Sequence, residues 1–405
     1  MRRLPAVAFL MLSVLAAATA AAEFPRFEPR EIDPHLGAIC YALTVADVDG
    51  DGKPDVVAVS EDAVVWYQNP TWTKRDIIRD ATARDNVCIQ AHDVDGDGRI
   101  DFALGAGWGR DTNTACTLQW LGRDQNGAWK IHPIDFDEPT IHRMRWGDVK
   151  GTGKAQLVVA PLQGRGTRGP NWGDGAGVKL RVFDVPDDPT RPNWPSEVAD
   201  DSLHTVHNLQ IVPADAGRNK IVLAAWEGVF VLQRGDDGAW TRTKLGAGDQ
   251  QSAPFKGASE VKVGRLADGS DYVATVEPWH GDQVVVYAPP KDSGPLWTRT
   301  VIAAPTSWGH ALWTADLDGD GDDDVVFGQR DPNPEGASGP KGPGVYVFEA
   351  TAGANGPEFV RHAIDEGGVA CEDALAADLD GDGRPDIVAG GRATHNVRIY
   401  WNREP

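Results

Sequence analysis

An aspartate ladder of fixed spacing recurs four times along this 405-residue chain. It first reads Asp47-Val-Asp49-Gly-Asp51-Gly-Lys-Pro-Asp55, and returns as Asp93, Asp95, Asp97 and Asp101, as Asp316, Asp318, Asp320 and Asp324, and as Asp378, Asp380, Asp382 and Asp386. Carboxylates at positions 1, 3, 5 and 9 of a tight turn converge on one point, glycines at 4 and 6 let the backbone curl, and the carbonyl at 7 can face inward. That is the all-oxygen shell a calcium ion takes. A helix-loop-helix calcium motif is excluded by the flanks, because it closes with Glu at position 12. These loops instead run into Asp55-Val-Val-Ala-Val and Asp386-Ile-Val-Ala-Gly, short β-branched runs that read as strands. The ladder therefore predicts a repeated strand-loop-strand unit carrying about four structural Ca2+ ions.

The net charge of −21 argues against nucleic-acid or anionic-membrane partners. Sixteen of the acidic groups are ladder aspartates, so the acidity reads as metal-binding capacity. Residues 1–22 carry Arg2 and Arg3, an apolar stretch from Leu4 to about Ala18, and Ala20-Ala21-Ala22. This is the pattern of a secretory signal with a small-residue cleavage site, against the alternative of a retained membrane anchor, for which the run is short and Ala-rich. A secreted or periplasmic mature chain, 23–405, is expected, as a monomer or small homo-oligomer. Cys40, Cys88, Cys116 and Cys371 are too few for a disulfide scaffold and lack zinc spacing, which leaves one bridge open in an exported chain.

Each ladder has an apolar strand before it and three strand signals after it. In the first repeat these fall at residues 40–46, 55–59, 63–68 and 72–78; in the last they fall at 370–377, 386–389 and 396–401, with no fourth strand. The missing strand is expected from the N-terminus, where Phe27-Glu-Pro-Arg-Glu-Ile-Asp33 matches Phe359-Val-Arg-His-Ala-Ile-Asp365 and Trp129-Lys-Ile-His-Pro-Ile-Asp135. Fourth-strand signals at Trp240-Thr-Arg-Thr and Trp297-Thr-Arg-Thr, with a looser one after Trp194, bring the count to seven. First strands are expected near Cys40, Val87, Ile141, Thr205, Ala258, Gly309 and Ala370. The sequence thus predicts an all-β, seven-bladed β-propeller of four-stranded antiparallel blades, with roughly 55 residues per blade against a usual ~40–45. Blades 1, 2, 6 and 7 carry the ladders. Blade 3 keeps only Asp148 and its glycines, and the segments around Asp215 and Asp268 keep only turn residues.

Counting back about six residues from each ladder finds what every blade offers at the opposite mouth of the channel, where ligands are expected. Blade 1 offers Tyr41, blade 3 His142 and Arg143, blade 4 His207, blade 5 Glu260, blade 6 His310, and blade 7 Glu372 and Asp373. Loops between second and third strands add Trp66, Trp108, Arg110, the 163–176 insert with Arg165, Arg168 and Trp172, then Trp226, Glu227, Glu277, Trp279, His280, Arg330, Arg392 and His395. A single histidine at a strand start is more often structural, and several of the 15 tryptophans are expected to pack between blades. The set carries more weight: His142, His207, His280, His310, His395 and His204 all fall on one predicted face, whereas His132 and His362 lie in outer strands.

Indole faces beside guanidinium and carboxylate groups suit a carbohydrate. Trp108, Arg110, Trp172, Trp226, Trp279, His280, Arg330 and His395 are the expected substrate-binding residues. His142, His207, His310, Tyr41 and Arg143 are the expected catalytic ones, fitted to β-elimination from a sugar bearing a carbonyl or carboxylate: a base for the α-proton, an acid for the leaving oxygen and a cation for the enolate. A second metal site is expected from His142, His207 and His310 with Glu260 or Glu372, and imidazole ligands favour zinc over calcium there. No G-x-S-x-G, P-loop, dinucleotide fingerprint or H-E-x-x-H occurs.

The ladders resemble the FG-GAP or VCBS repeats of integrin alpha propellers and many secreted bacterial proteins, over the whole mature chain. That resemblance implies a calcium-bearing propeller, and its members include adhesion heads, lectin-like binders and enzymes. Glu277-Pro-Trp-His-Gly281, Ser307-Trp-Gly-His310 and Glu372-Asp373 resemble, more narrowly, the propeller domain of the aldos-2-ulose dehydratase family, which implies removal of water from a keto-sugar; the cupin domains that accompany that propeller are not expected within these 405 residues. Propeller-fold polysaccharide lyases are a looser comparison. The alternative is a non-catalytic carbohydrate- or protein-binding propeller.

Overall fold

The computed structural model describes residues 23–214, 217–290, 294–353 and 356–405; the expected signal segment 1–22 and Asp215 lie outside them. The described residues form seven four-stranded antiparallel sheets. Blade 1 consists of Ala42–Ala46, Asp55–Val59, Ala63–Gln68 and Thr73–Arg79. Its second strand is buried throughout and its outer strand is mostly exposed, which is why the first reads as a β-branched run and the second as a charged one.

Closure follows the expected route. Arg26–Asp33 pairs with Val397–Arg403, with Phe27 opposite Asn402, and completes the sheet begun by Cys371–Ala377 and Asp386–Gly391. The two ends of the described chain are thereby hydrogen-bonded in one blade, which removes the free edge an open ring would expose.

Apolar cores lie between blades. Val57, Val59 and Val64 of blade 1 pack with Ile89, Phe102 and Leu104 of blade 2, and Val56, Ala58 and Tyr67 pack with Leu375, Val388 and Ile399 of blade 7. All four cysteines are free and buried in these seams. Cys40 fills the space over Gly390, where a Cβ would lie 2.3 Å from its sulfur, and Cys371 fills the same place over Gly328. The thiols thus serve as small apolar packing groups, and the bridge left open by the sequence is not formed.

Inner strands begin at Ala42, Cys88, Ile141, Asn208, Val261, Gly309 and Cys371. The two starts that fall three residues late belong to blades 4 and 5, which have no ladder to fix the register. There the chain already touches its neighbour before regular pairing starts, through His207 N–H to Ala224 O (3.2 Å) and Ser259 N–H to Val276 O (2.9 Å).

The ladders fold as tight loops. Gly50 and Gly52 sit at φ +78° and +84°, a left-handed curl closed to most side chains. Asp47 accepts the N–H groups of Gly50, Asp51 and Gly52, while Asp55 ties the loop to the sheet by accepting from Val48 and Asn69. Asp148 holds the blade 3 loop in the same manner, although Lys150 replaces the second carboxylate and pairs with Asp184 at 2.8 Å.

Candidate active site

The inner strands do more than start at the channel mouth. In blades 3, 6 and 7 each begins with a β-bulge, and the extra, unpaired residue is His142, His310 or Glu372. A bulge re-aims one side chain without disturbing the ladder behind it. Two residues earlier the backbone turns left-handed, at Thr140 (φ +48°) before His142, Thr205 (φ +45°) before His207 and Trp308 (φ +52°) before His310. A β-branched residue resists that conformation, so something must hold it. Thr140 is clamped by reciprocal hydrogen bonds with Gln163, and Thr205 donates to the Trp172 carbonyl at 3.1 Å. Both anchors lie in the 163–176 insert.

These devices bring three imidazoles together, and His280, in the loop after Asp271–Glu277, joins them. His207 Nε2 lies 2.8 Å from His280 Nε2. One nitrogen from each of His207, His280 and His310 falls within 4.8 Å of the others, a group able to hold a metal ion. His142 stands against the His207 ring, centroids 4.5 Å apart. His142 Nδ1 donates to the His207 carbonyl (2.8 Å) and His310 Nδ1 to the Glu372 carbonyl (2.7 Å). A carbonyl only accepts, so both rings carry their proton on Nδ1 and leave the Nε2 lone pair free. Burial, reinforced by neighbouring cations, pushes His142, His207 and His280 well below the usual imidazole range and His310 below it. They are neutral bases or ligands at neutral pH.

Carboxylates stand behind this group. His207 Nδ1 lies 2.8 Å from Glu260 Oε1 without hydrogen-bond alignment. Glu260 also accepts from Asn208 and lies 3.9 Å from Arg143. Glu372 lies 3.8 Å from His310 Nε2, 2.6 Å from Arg392 and 3.5 Å from Arg330. Burial raises the Glu372 pKa, but His310, Arg392 and Arg330 outweigh it and hold the carboxyl below its ordinary value.

Above the imidazoles opens a cavity of about 360 Å³, lined by Tyr41, Trp108, Arg110, His142, Arg143, Trp172, Trp279, His280, His310, Arg330 and Glu372, and also by Gln163, Phe255, Trp308 and Arg392. Trp172 meets Trp279 edge-on at 5.2 Å, and Phe255 joins Trp279 to Trp308. Tyr41 donates to Asp85 at 3.0 Å, and burial together with Asp85 raises its pKa, so it is present as a hydroxyl.

Not every expected residue arrives here. Trp226 and His395 are not among the lining groups; His395 Nδ1 donates to the Ala38 carbonyl near the seam of blades 7 and 1. His204 pairs with Glu227 at 2.7 Å. Glu277 is buried in its blade against Tyr287 and Arg299. Phe255 and Asp85 had no signal in the repeat, since both lie in connections between blades. Trp308 was visible only as part of Ser307-Trp-Gly-His310.

On the other face, the groups of mutually close oxygens are Asp47, Asp49 and Asp55; Asp93, Asp95 and Asp101; Asp316, Asp318 and Asp320; and Asp378, Asp380 and Asp386. Position 9 joins in three ladders and position 5 in the fourth. Asp51, Asp97 and Asp382 instead lean on the basic residue at position 7, namely Lys53, Arg99 and Arg384. Asp324 is held by the N–H groups of Leu317 and Ala350. The donors are all oxygens of the kind a hard cation takes, and the glycine curl that such a loop requires is in place.

Comparison with known proteins agrees with this architecture. Residues 115–290 match the aldos-2-ulose dehydratase β-propeller domain, and residues 47–104 match an FG-GAP-like repeat. Aldos-2-ulose dehydratase of Phanerodontia chrysosporium is 30% identical over 240 residues, which is 54% of this chain and 26% of that protein. Among solved structures, a streptogramin B lyase superposes with a TM-score of 0.56 at 10% identity, covering 93% of this chain and 98% of the other. Virginiamycin B lyase from Staphylococcus aureus gives 0.54 at 11%, covering 93% and 99%, and these two likenesses concern the fold alone. No helix among the described residues is long and apolar enough to cross a membrane. The chain is a seven-bladed β-propeller related to the propeller of aldos-2-ulose dehydratase and to FG-GAP repeats.

Proposed function

We propose that the chain is a carbon-oxygen lyase that removes water, or an alcohol, from a sugar carrying a carbonyl or carboxylate, and that it works in the histidine-lined cavity. The observation that carries this reading is the convergence of neutral imidazoles, from blades remote in sequence, at the floor of an aromatic-walled cavity. The relation to aldos-2-ulose dehydratase supports the same class of reaction.

His207, His280 and His310 would hold a divalent metal, zinc in preference to calcium, and the ion when bound would polarise the substrate carbonyl. The chain's own residues supply the rest. His142 Nε2, freed by the Nδ1 bond to His207, takes the proton α to the carbonyl. The electron pair forms the carbon-carbon double bond as the β-oxygen departs, and the proton on His142 passes to that oxygen to give water. Arg143 and Arg330 offset the charge that grows on the carbonyl oxygen. Trp172 and Trp279 present ring faces and edges to the sugar, and Arg392 keeps Glu372 ionised beside His310. Calcium in the ladder loops would be structural.

The test is the growth of ultraviolet absorbance from an enone or unsaturated uronate, with zinc and calcium supplied, on a panel of keto-sugars and uronate polymers. Turnover that disappears in His142→Ala supports the reading. Ligand binding without turnover in wild type, unchanged in His142→Ala, would replace it with a carbohydrate-binding propeller.

A further inference from the structure

The channel does not end at the histidines. Arg143 forms part of the wall of the catalytic cavity and also of a second cavity, about 330 Å³, enclosed by the inner strands on the ladder side. This lower cavity is lined by Arg143, Arg145 and Lys262, with Asp373 as its one carboxylate and with Gln90, Gln210, Trp146 and Trp313 around them. Asp373 is already engaged by the N–H groups of Leu43 (2.9 Å) and Ala374 (3.1 Å).

The cations are poorly matched. Among the described residues neither Arg145 nor Lys262 has a carboxylate within 4.0 Å. Arg145 donates to the Met144 carbonyl at 2.7 Å and reaches Asn208 only at 3.5 Å; Lys262 Nζ reaches the Val261 carbonyl at 3.4 Å, with its charge over the Trp313 ring at 5.2 Å. Lys262 is 3% exposed and Arg143 is 5% exposed. Two further buried donors, Arg143 Nη2 and Trp146 Nε1, have no hydrogen-bond partner. Lys262 is thus a buried amine with no carboxylate in contact, its pKa pushed down to about 7 by burial. Arg145 is half-buried without one, and Arg143 has only Glu260 at 3.9 Å. Poorly paired charges and unpartnered N–H groups are each costly, and one ligand would relieve both. It must be negative, rich in acceptors and small.

We infer that this lower cavity is a binding site for a small oxyanion of the sulfate or phosphate class, held by Arg145, Lys262 and Trp146 with Arg143 as its roof. Guanidinium and ammonium donors around a tetrahedral oxyanion form charge-assisted hydrogen bonds, the strongest kind available to these groups. The site shares only Arg143 with the histidine cavity, and anion binding there is tested without the reaction proposed above.

Selenate is the probe, because it mimics sulfate and scatters anomalously. Crystals of the calcium-loaded protein soaked in selenate are expected to show a peak between Arg145 and Lys262, and calorimetry on the same protein to show one site whose affinity falls at least tenfold in Lys262→Met. Arg145→Gln is the second variant, carrying the test if Lys262→Met does not fold. No peak in the lower channel, a peak confined to the histidine cavity, or undiminished binding in a folded variant would each overturn the assignment.

Discussion

The two faces of the disc are built on opposite principles. On the ladder face four loops repeat one turn, in which the aspartate at position 1 accepts the N–H groups of glycines at positions 4 and 6. On the other face blades 3, 4 and 6 place a histidine near one register while blade 1 places Tyr41, blade 5 Glu260 and blade 7 Glu372, and no blade assembles the group alone. Blade 3 shows both at once: its loop keeps the turn on Asp148 alone, with Lys150 in place of a carboxylate, while six residues earlier its strand contributes His142. Metal capacity on one face and imidazole chemistry on the other are therefore independent properties of one strand. If so, damage to one face should spare the other.

The sharpest way to break this separation is at the histidines. His142→Ala is expected to lower kcat by about 100-fold or more, the usual weight of a positioned acid-base group. Its melting temperature should move by only a few degrees, because the ring closes a channel and is not part of an inter-blade core. A fall in Tm as large as that from calcium removal would show that the histidine group is scaffold.

Chelation attacks the opposite face. Ions that bind only the folded state stabilise it by about 2.7 kcal/mol per site at a hundredfold excess over Kd, so emptying about four sites should lower Tm by roughly 10 °C. Turnover measured below the new transition should persist. An unchanged melting curve in excess chelator would mean that the loops stand without metal.

The chelated protein should also acquire a pH dependence. Burial, with neighbouring ladder carboxylates, pushes Asp55 and Asp386 up to about 6, Asp101 to about 7 and Asp324 to about 8. A folded pKa above the unfolded value, about 3.9, means that the folded state binds more protons between the two. The contribution to stability is thus full below about pH 4 and is lost as pH rises through 6 to 8. Without metal, Tm should fall by several degrees between pH 5 and pH 8 from these groups; calcium, which replaces the protons, should abolish the fall. Thermal scans at both pH values, with and without calcium, check this.

Legibility in the sequence divides along the same line. Ladders, β-branched runs and the Phe27–Asp33 match to outer strands are local patterns, so blade count, closure and most strand starts could be read directly, and the register slipped only in blades 4 and 5, where the pattern is gone. His142, His207 and His310 were found by counting from the repeat. His280 was placed on the same face as a substrate-binding residue, but its approach to within metal-holding distance of His207 and His310 was not read, because it depends on how far a loop of blade 5 reaches over the channel. Nor were the bulges at His142, His310 and Glu372 visible, since an extra residue in a strand leaves no mark in composition. Phe255 and Asp85 belong to connections between blades, which the repeat does not describe.

The smallest expected effect concerns the aromatic wall, where scaffold and site meet. Trp172 hangs from the insert that also clamps Thr205, and its ring contacts Trp279 edge-on. If Trp172 serves as a stacking surface for a sugar, Trp172→Ala should raise KM about tenfold, near the 1–1.5 kcal/mol of an aromatic contact, with kcat little changed. If its chief task is to steady the left-handed turn before His207, the loss should fall on kcat instead, because a displaced imidazole weakens chemistry more than binding. Trp172→Phe separates the two further, since it keeps an apolar ring on the same backbone: recovery of KM marks stacking, whereas a kcat deficit that persists in Ala and is repaired in Phe marks support of the turn.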